Sequence, residues 1–185
     1  MSDNNNHPLG EAPWFHVIIS TGLGTGFIPG APGTYAGFTG LVIWYLLYLT
    51  LSPAALLVAT IALIVVTTFV GVWTSNVMER YWGPDPRTVV IDEYVGTWIP
   101  MLVAPCAAGS WADPFAGPTW ILALTGFGLF RLIDIFKPLG CRKIEGLVPG
   151  GWGVMLDDVL AGIYALVIVV VMKLSIYSAY PLFTM

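Results

Sequence analysis

The sequence contains few charged residues, two cysteines and two histidines. Charged residues make up 10% of the chain, whereas soluble domains average about 25%. Seven basic residues face eleven acidic ones, so the basic surface that is typical of nucleic-acid binding is missing. Cys106 and Cys141 have neither CxxC nor metal-site spacing, and they predict no disulfide framework. His7 and His16 both lie near the N-terminus, as expected for solvated or interfacial side chains.

The chain instead contains long apolar runs, and 57% of its residues are hydrophobic. About 20 apolar residues in a helix cross the hydrocarbon core of a membrane. The sequence therefore predicts an all-α, polytopic membrane helical bundle with about five transmembrane helices. We expect a disordered leader over residues 1–13 and a single membrane-embedded domain over residues 14–185. The predicted spans are residues 36–52, 54–77, 94–106, 118–136 and 154–172, preceded by an interfacial or re-entrant segment over residues 14–27.

The distribution of lysine and arginine predicts the orientation of these spans. With five spans, only Lys173 falls on one side, whereas short cytoplasmic loops carry an excess of basic residues. The other side, which holds six basic residues, is therefore predicted to be cytoplasmic. Those six are Arg80, Arg87, Arg131, Lys137, Arg142 and Lys143.

Five acidic residues lie near the predicted cytoplasmic ends of the spans. A charged side chain at bilayer depth costs about 2.5–3.5 kcal/mol, so such residues usually serve a function. Carboxylate oxygens are the ligands that hard cations prefer. We therefore treat all five as candidate catalytic residues and metal ligands, although an acidic pair could also simply cap a helix. They are Asp92, Glu93, Asp134, Asp157 and Asp158.

Basic residues accompany one of these acids in the segment FRLIDIFKP, residues 130–138. Arg131 and Asp134 are three residues apart and share a helical face. Asp134 could bind a metal while Arg131 or Lys137 binds phosphate, since both basic side chains suit phosphate. Alternatively, Arg131 and Asp134 form a structural salt bridge.

A glycine-rich segment, residues 20–37, precedes the first span and contains six glycines. Its backbone N–H groups could converge on an anion, which makes Gly33 and Thr34 candidate phosphate-binding residues. Thr34 is also expected to cap the first span. The segment is not a Walker loop, because GxxxxGK[ST] is absent. The alternative is a tight re-entrant turn packed against other helices.

Several other phosphatase chemistries are excluded by the same residues. A cysteine phosphatase needs an arginine six residues after its cysteine, but Ala112 and Leu147 occupy those positions here. The DxDx[TV] motif of aspartyl nucleophiles is absent as well. Carboxylates, basic residues and a divalent cation remain, which indicates metal-assisted chemistry on phosphate.

Four segments, taken in order, resemble the phosphatidylglycerophosphatase A family: GLGTGFIPGAPGT, IDEYVG, FRLIDIFKP and GGWGVMLDD. The resemblance covers residues 14–165 and implies Mg²⁺-dependent removal of the terminal phosphate from phosphatidylglycerophosphate, giving phosphatidylglycerol. It implies a phospholipid substrate within the bacterial cytoplasmic (inner) membrane and an active site on the cytoplasmic face. The five acids, with Arg131, Lys137 and Arg142 as basic residues, match the family's motifs.

Two other classes of protein compete with this interpretation. An ion or proton transporter would use intramembrane acids as a cation path, with the acids staggered through the bilayer depth. A CDP-alcohol phosphotransferase also binds lipid and metal, but its DGxxAR motif is missing. For a phosphatase, a covalent aspartyl-phosphate and direct attack by water both remain open, and the oligomeric state is not predicted.

Overall fold

A computed structural model describes residues 11–84, 86–104, 119–137 and 148–179, and the regular elements in these ranges are all helices. Short 3₁₀ turns at Thr25–Phe27 and Pro100–Leu102 interrupt the helical segments. The predicted all-α class is therefore confirmed for this part of the chain. The α-helices are α1 (Trp14–Ser20), α2 (Pro32–Thr50), α3 (Pro53–Trp82), α4 (Asp92–Trp98), α5 (Thr119–Phe136) and α6 (Gly151–Ala179).

Three of these helices, α3, α5 and α6, are long and apolar enough to cross a membrane. The 18 residues of α5 reach about 27 Å, close to the thickness of the hydrocarbon core. The 30 residues of α3 reach about 45 Å, so its C-terminal turns extend well past the predicted end at residue 77. The structure therefore supports membrane association, and the count of five spans stays a prediction.

The predicted third span is the least regular part of the bundle. Helix α4 has seven residues and ends before Pro100, which lacks the backbone N–H that would continue the helix. Residues Glu93 to Trp98 are all buried, and α4 packs against α2, α3 and α6. Helix α4 is thus a short central helix enclosed by longer ones, and its seven residues alone do not reach across the hydrocarbon core.

Glycines allow unusually close packing around α4. A Cβ at Gly96 would overlap the ring of Phe130, which is fully buried in α5. On another side of α4, Trp98 Nε1 donates a hydrogen bond of 2.8 Å to the carbonyl oxygen of Gly40 in α2. These contacts fix the position of α4 along its neighbouring helices, and thereby the position of Asp92 and Glu93 at its N-terminus.

The N-terminal segment, which is predicted to be interfacial or re-entrant, folds as α1 and a tight turn. Helix α1 packs against α3 and leaves Trp14 and Phe15 exposed. Tyr94 Oη of α4 donates a 3.0 Å hydrogen bond to the carbonyl oxygen of Gly22 and holds the turn against the bundle. The glycine-rich segment is therefore a packed turn, as its structural alternative predicted.

The prediction that Thr34 caps the first span is wrong. Helix α2 begins at Pro32, so Ala31 occupies the N-cap position. No side chain accepts a capping hydrogen bond there. Proline is favoured at the first helical position because its fixed φ suits the helix and its missing N–H is not needed there. Pro32 therefore starts the helix early, and Thr34 lies inside the first turn.

Candidate active site

All five predicted acids line one cavity of about 370 Å³ at one end of the bundle. Asp92 and Glu93 come from α4, Asp134 from α5, and Asp157 and Asp158 from α6. Other residues complete the lining: Glu79, Pro84, Lys137, Val148, Pro149, Gly150, Gly153 and Val154. Side chains that are up to 79 residues apart in sequence thus share a single polar space.

Three of these carboxylates form the tightest group. Asp134, Asp157 and Asp158 each place an oxygen within 4.8 Å of the other two. Asp157 and Asp158 are only 5% and 3% exposed, and Asp158 Oδ2 has no hydrogen-bond partner among the described residues. Because buried like charges repel strongly, this donor set fits a hard divalent cation such as Mg²⁺.

Asp92 and Glu93 stand beside this group and have different partners. Glu93 bonds to Arg131, whereas Asp92 Oδ1 is buried without a hydrogen bond among the described residues. Burial raises the pKa of the Asp92 carboxyl well above its usual value, and repulsion from Glu93 and Asp134 raises it further. Burial raises the pKa of Glu93 to about 7, although Arg131 opposes the rise. A cation nearby would stabilise the ionised form of both groups.

Arg131 joins two of the acids by ion pairs. Its Nη1 donates to Glu93 and, at 2.9 Å, to Asp134 Oδ2. The salt bridge that the spacing offered as the structural alternative is therefore present. Arg131 is not among the residues that line the cavity, so it holds two carboxylates that do. Its predicted phosphate-binding role stays a prediction.

Lys137 is the basic residue among the described residues that line the cavity. It ends α5 in a left-handed conformation with φ of 44°, and its backbone N donates a 2.7 Å hydrogen bond to Ile133 O. This conformation is uncommon for a residue with a Cβ and typically terminates a helix. The side chain forms an ion pair with Asp157, which places an ammonium group beside the acidic cluster.

The glycine-rich segment reaches the site at one point. Gly33 lies so close to Glu93 that a Cβ there would overlap Oε1. Thr34 is not among the residues that line the cavity, and Arg142 lies outside the described residues. Phosphate binding by these three residues therefore stays a prediction.

Two polar residues of α3 escaped the sequence analysis. Glu79 lines the cavity, and Asn76 Oδ1 accepts a 2.8 Å hydrogen bond from the backbone N of Gly151 at the start of α6. The predicted span ends at residue 77, which leaves Glu79 outside it. Their spacing of three residues on one helical face was the signal that could have identified them.

A buried carboxylate cluster with an adjacent lysine, at one end of an apolar helical bundle, suits an enzyme that hydrolyses a phosphate monoester on a lipid. The sequence model of one family, described as phosphatidylglycerophosphatase A, matches residues 18–173. The chain belongs to the phosphatidylglycerophosphatase A family.

Curated relatives cover most of the chain. A protein of Bacteroides thetaiotaomicron, provisionally named a phosphatidylinositol-3-phosphatase, is 46% identical over 157 residues, which are 85% of this chain and 92% of the relative. Phosphatidylglycerophosphatase A of Haemophilus influenzae is 33% identical over 171 residues, or 91% and 95% of the two chains. Phosphatidylglycerophosphatase A of Escherichia coli is 31% identical over 152 residues, or 82% and 78%. No solved structure matches the chain.

Proposed function

We propose that the protein removes the terminal phosphate of phosphatidylglycerophosphate and releases phosphatidylglycerol and inorganic phosphate. The observation that carries this proposal is the group formed by Asp134, Asp157 and Asp158, with Lys137 paired to it, in one cavity. The bond between phosphorus and the glycerol oxygen breaks, water supplies the oxygen that replaces it, and the glycerol oxygen takes up a proton. The names of the relatives from Haemophilus influenzae and Escherichia coli support this choice of substrate.

The acidic residues suit Mg²⁺, and Asp134, Asp157 and Asp158 would hold it, with Asp92 and Glu93 close by. Bound Mg²⁺ supplies a Lewis acid that polarises a phosphoryl oxygen and lowers the pKa of a bound water. Lys137 would neutralise charge on the phosphoryl oxygens as the bond to glycerol breaks. Arg131 would keep Glu93 and Asp134 in position through its two ion pairs.

The reaction would occur at the cytoplasmic face of the bacterial inner membrane. Helices α3, α5 and α6 would hold the protein in the bilayer, with residues 36–52 and 94–106 as the remaining predicted spans. Six of the seven basic residues fall on the predicted cytoplasmic side, which is also the side of the acidic cavity. The acyl chains would then stay in the bilayer while the headgroup enters the cavity.

A second substrate, phosphatidylinositol 3-phosphate, is favoured by one observation. The relative from Bacteroides thetaiotaomicron is provisionally named for that activity, at 46% identity. Both lipids carry a phosphate monoester on a small polyol, so the acidic site suits the reacting group of either. The transporter alternative predicted acids staggered through the bilayer depth, whereas the five acids converge on one cavity.

Phosphate release by the purified full-length protein in neutral-detergent micelles tests the proposal. The panel contains phosphatidylglycerophosphate, phosphatidylinositol 3-phosphate and phosphatidic acid, each with Mg²⁺ or EDTA. We expect the highest kcat/KM with phosphatidylglycerophosphate and no turnover in EDTA. A preference for phosphatidylinositol 3-phosphate would replace the proposed substrate, and full turnover in EDTA would refute the role of the metal.

A further inference from the structure

A second polar cleft adjoins the acidic cavity. It has a volume of about 710 Å³ and shares Glu79 and Pro84 with the acidic cavity. The rest of its lining comes from α3: Trp73, Asn76, Val77 and Arg80. A ligand in one space can therefore extend into the other past Glu79 and Pro84.

The sequence of α3 builds this cleft from its last turns. Trp73, Val77 and Arg80 follow helical spacing and share one face, while Glu79 points about 100° away from Arg80. The helix ends at Gly83, whose φ of 86° suits glycine and whose backbone N donates to Glu79 O at 3.0 Å. This reversal brings Pro84 beside both spaces, so Glu79 and Pro84 form their boundary.

Charge differs between the two spaces. The acidic cavity contains six carboxylates and Lys137, whereas the charged residues of the second cleft are Arg80 and the shared Glu79. Arg80 is exposed and forms no ion pair with the residues that the structure describes. A guanidinium group presents a planar fork that matches the oxygens of a phosphate. The cleft thus offers a binding group for a second anion next to the acidic cavity.

Aromatic residues mark the depth of this cleft. The Trp73 ring is 52% exposed and makes an edge-to-face contact with His16, with ring centres 4.6 Å apart. Phe69, one turn nearer the N-terminus of α3, forms a similar exposed pair with Trp152 of α6, with ring centres 5.8 Å apart. Exposed tryptophans are enriched at the level of lipid headgroups, where the phosphodiester of a phospholipid lies.

We propose that Arg80 binds the phosphodiester of the lipid substrate while the terminal phosphate monoester occupies the acidic cavity. This inference rests on the proposed function, in which the substrate carries both groups. Glycerol or inositol would cross the boundary at Glu79 and Pro84. Arg80 would then recognise a phospholipid headgroup, whichever polyol carries the reacting phosphate.

Two variants test the inference, and each replaces one arginine by glutamine and so removes one positive charge. Arg80→Gln removes the cleft's guanidinium, and Arg87→Gln removes an exposed arginine of the following loop that lines neither space. The substrate is phosphatidylglycerophosphate in neutral-detergent micelles. Phosphatidylglycerol, which has only the diester, and inorganic phosphate, which mimics the monoester, serve as competing inhibitors. Melting temperatures of both variants report on folding.

We expect Arg80→Gln to raise KM and the inhibition constant of phosphatidylglycerol by about tenfold, because one charge-assisted contact is lost. Its kcat and its inhibition by inorganic phosphate should match those of the wild type. Arg87→Gln should change none of these values. Unchanged inhibition of Arg80→Gln by phosphatidylglycerol, or equal weakening in both variants, would refute the inference. A wild-type protein that releases no phosphate from the lipid would instead refute the proposed function.

Discussion

Gly33 at the start of α2 lies directly against the carboxylate of Glu93 at the start of α4. A Cβ at residue 33 would come within 2.8 Å of Glu93 Cδ and within 3.4 Å of Arg131 Nη2. The absence of a side chain at residue 33 is therefore what lets the Arg131–Glu93 ion pair lie beside the first turn of α2. The glycine-rich segment acts here through its small size, by close packing against a charged pair.

Replacing Gly33 with alanine should displace Glu93 and lower kcat by about a hundredfold, since small displacements of reacting groups are costly. The measurement is phosphate release together with the melting temperature of the same sample. Gly128→Ala in α5 is the matched control, because a Cβ there meets no atom within 4 Å. Normal turnover in Gly33→Ala would show that the position of Glu93 has no influence on the reaction.

The substitution Asp158→Asn should lower turnover by about a hundredfold or more, because even changes to the partners of metal ligands typically cost about 10- to 100-fold. It should also raise the Mg²⁺ concentration that gives half-maximal activity. Asp134→Asn should behave in the same way, since its carboxylate belongs to the same group. Glu11→Gln, which changes an exposed acid, should leave both values unchanged. An Asp134→Asn protein that melts early yet reacts at the normal rate would remove Asp134 from the site.

Mg²⁺ should stabilise the folded protein as well as activate it. A ligand present at a hundredfold excess over its Kd adds about 2.7 kcal/mol, or roughly 5–11 °C in melting temperature for a chain of this size. Thermal unfolding in detergent, with EDTA and with Mg²⁺, measures the shift. Asp158→Asn should show a much smaller shift, and an equal shift in both proteins would place the ion elsewhere.

Replacing Arg131 with lysine should impair the protein less than replacing it with an uncharged residue. Arg131→Lys keeps a cation between Glu93 and Asp134 and should show a partial loss of activity. Arg131→Met leaves two largely buried carboxylates without their partner and should cost about 3 kcal/mol of stability. Circular dichroism melting curves of both variants measure this difference in stability. Identical melting temperatures would contradict a positioning role for Arg131.

The distribution of basic residues predicts that the loop after α3 is cytoplasmic. Arg87→Cys, in a background lacking Cys106 and Cys141, should react with a membrane-impermeant thiol reagent in inside-out vesicles. Intact cells or spheroplasts should give no labelling at this exposed position. Labelling from the outside would reverse the predicted orientation and move the acidic cavity to the other face.

Patterns of acids in apolar surroundings predicted five of the six described acidic residues that line the cavity. Asp92, Glu93, Asp134, Asp157 and Asp158 stood out because charges are rare in such segments, and the cavity contains all five. Their partners could not be predicted, since the Arg131–Glu93 and Lys137–Asp157 pairs depend on how the helices pack. Glu79 was missed because α3 runs five residues past its predicted end, into a polar sequence that is helical.

Helix boundaries were predicted well where hydrophobicity alone determines them. The segment that contains α5 matched closely at its C-terminal end, since the helix ends at Phe136 and the predicted span ends at residue 136. Helix α4 ends at Trp98, inside the predicted third span, because Pro100 interrupts the helical hydrogen bonds. The early start of α2 at Pro32 likewise reflects local backbone chemistry that hydropathy does not record.

The contact of Phe130 with Gly96 fixes the distance between α5 and α4 just inside the acidic cavity. Each of these residues lies next to, or one turn from, a charged residue that belongs to the Arg131–Glu93 pair. A larger side chain at residue 96 would push α4 and α5 apart and separate that pair before it unfolded the bundle. Defects in this apolar contact should therefore be recognised in the laboratory as losses of catalysis, in proteins that still insert and purify normally.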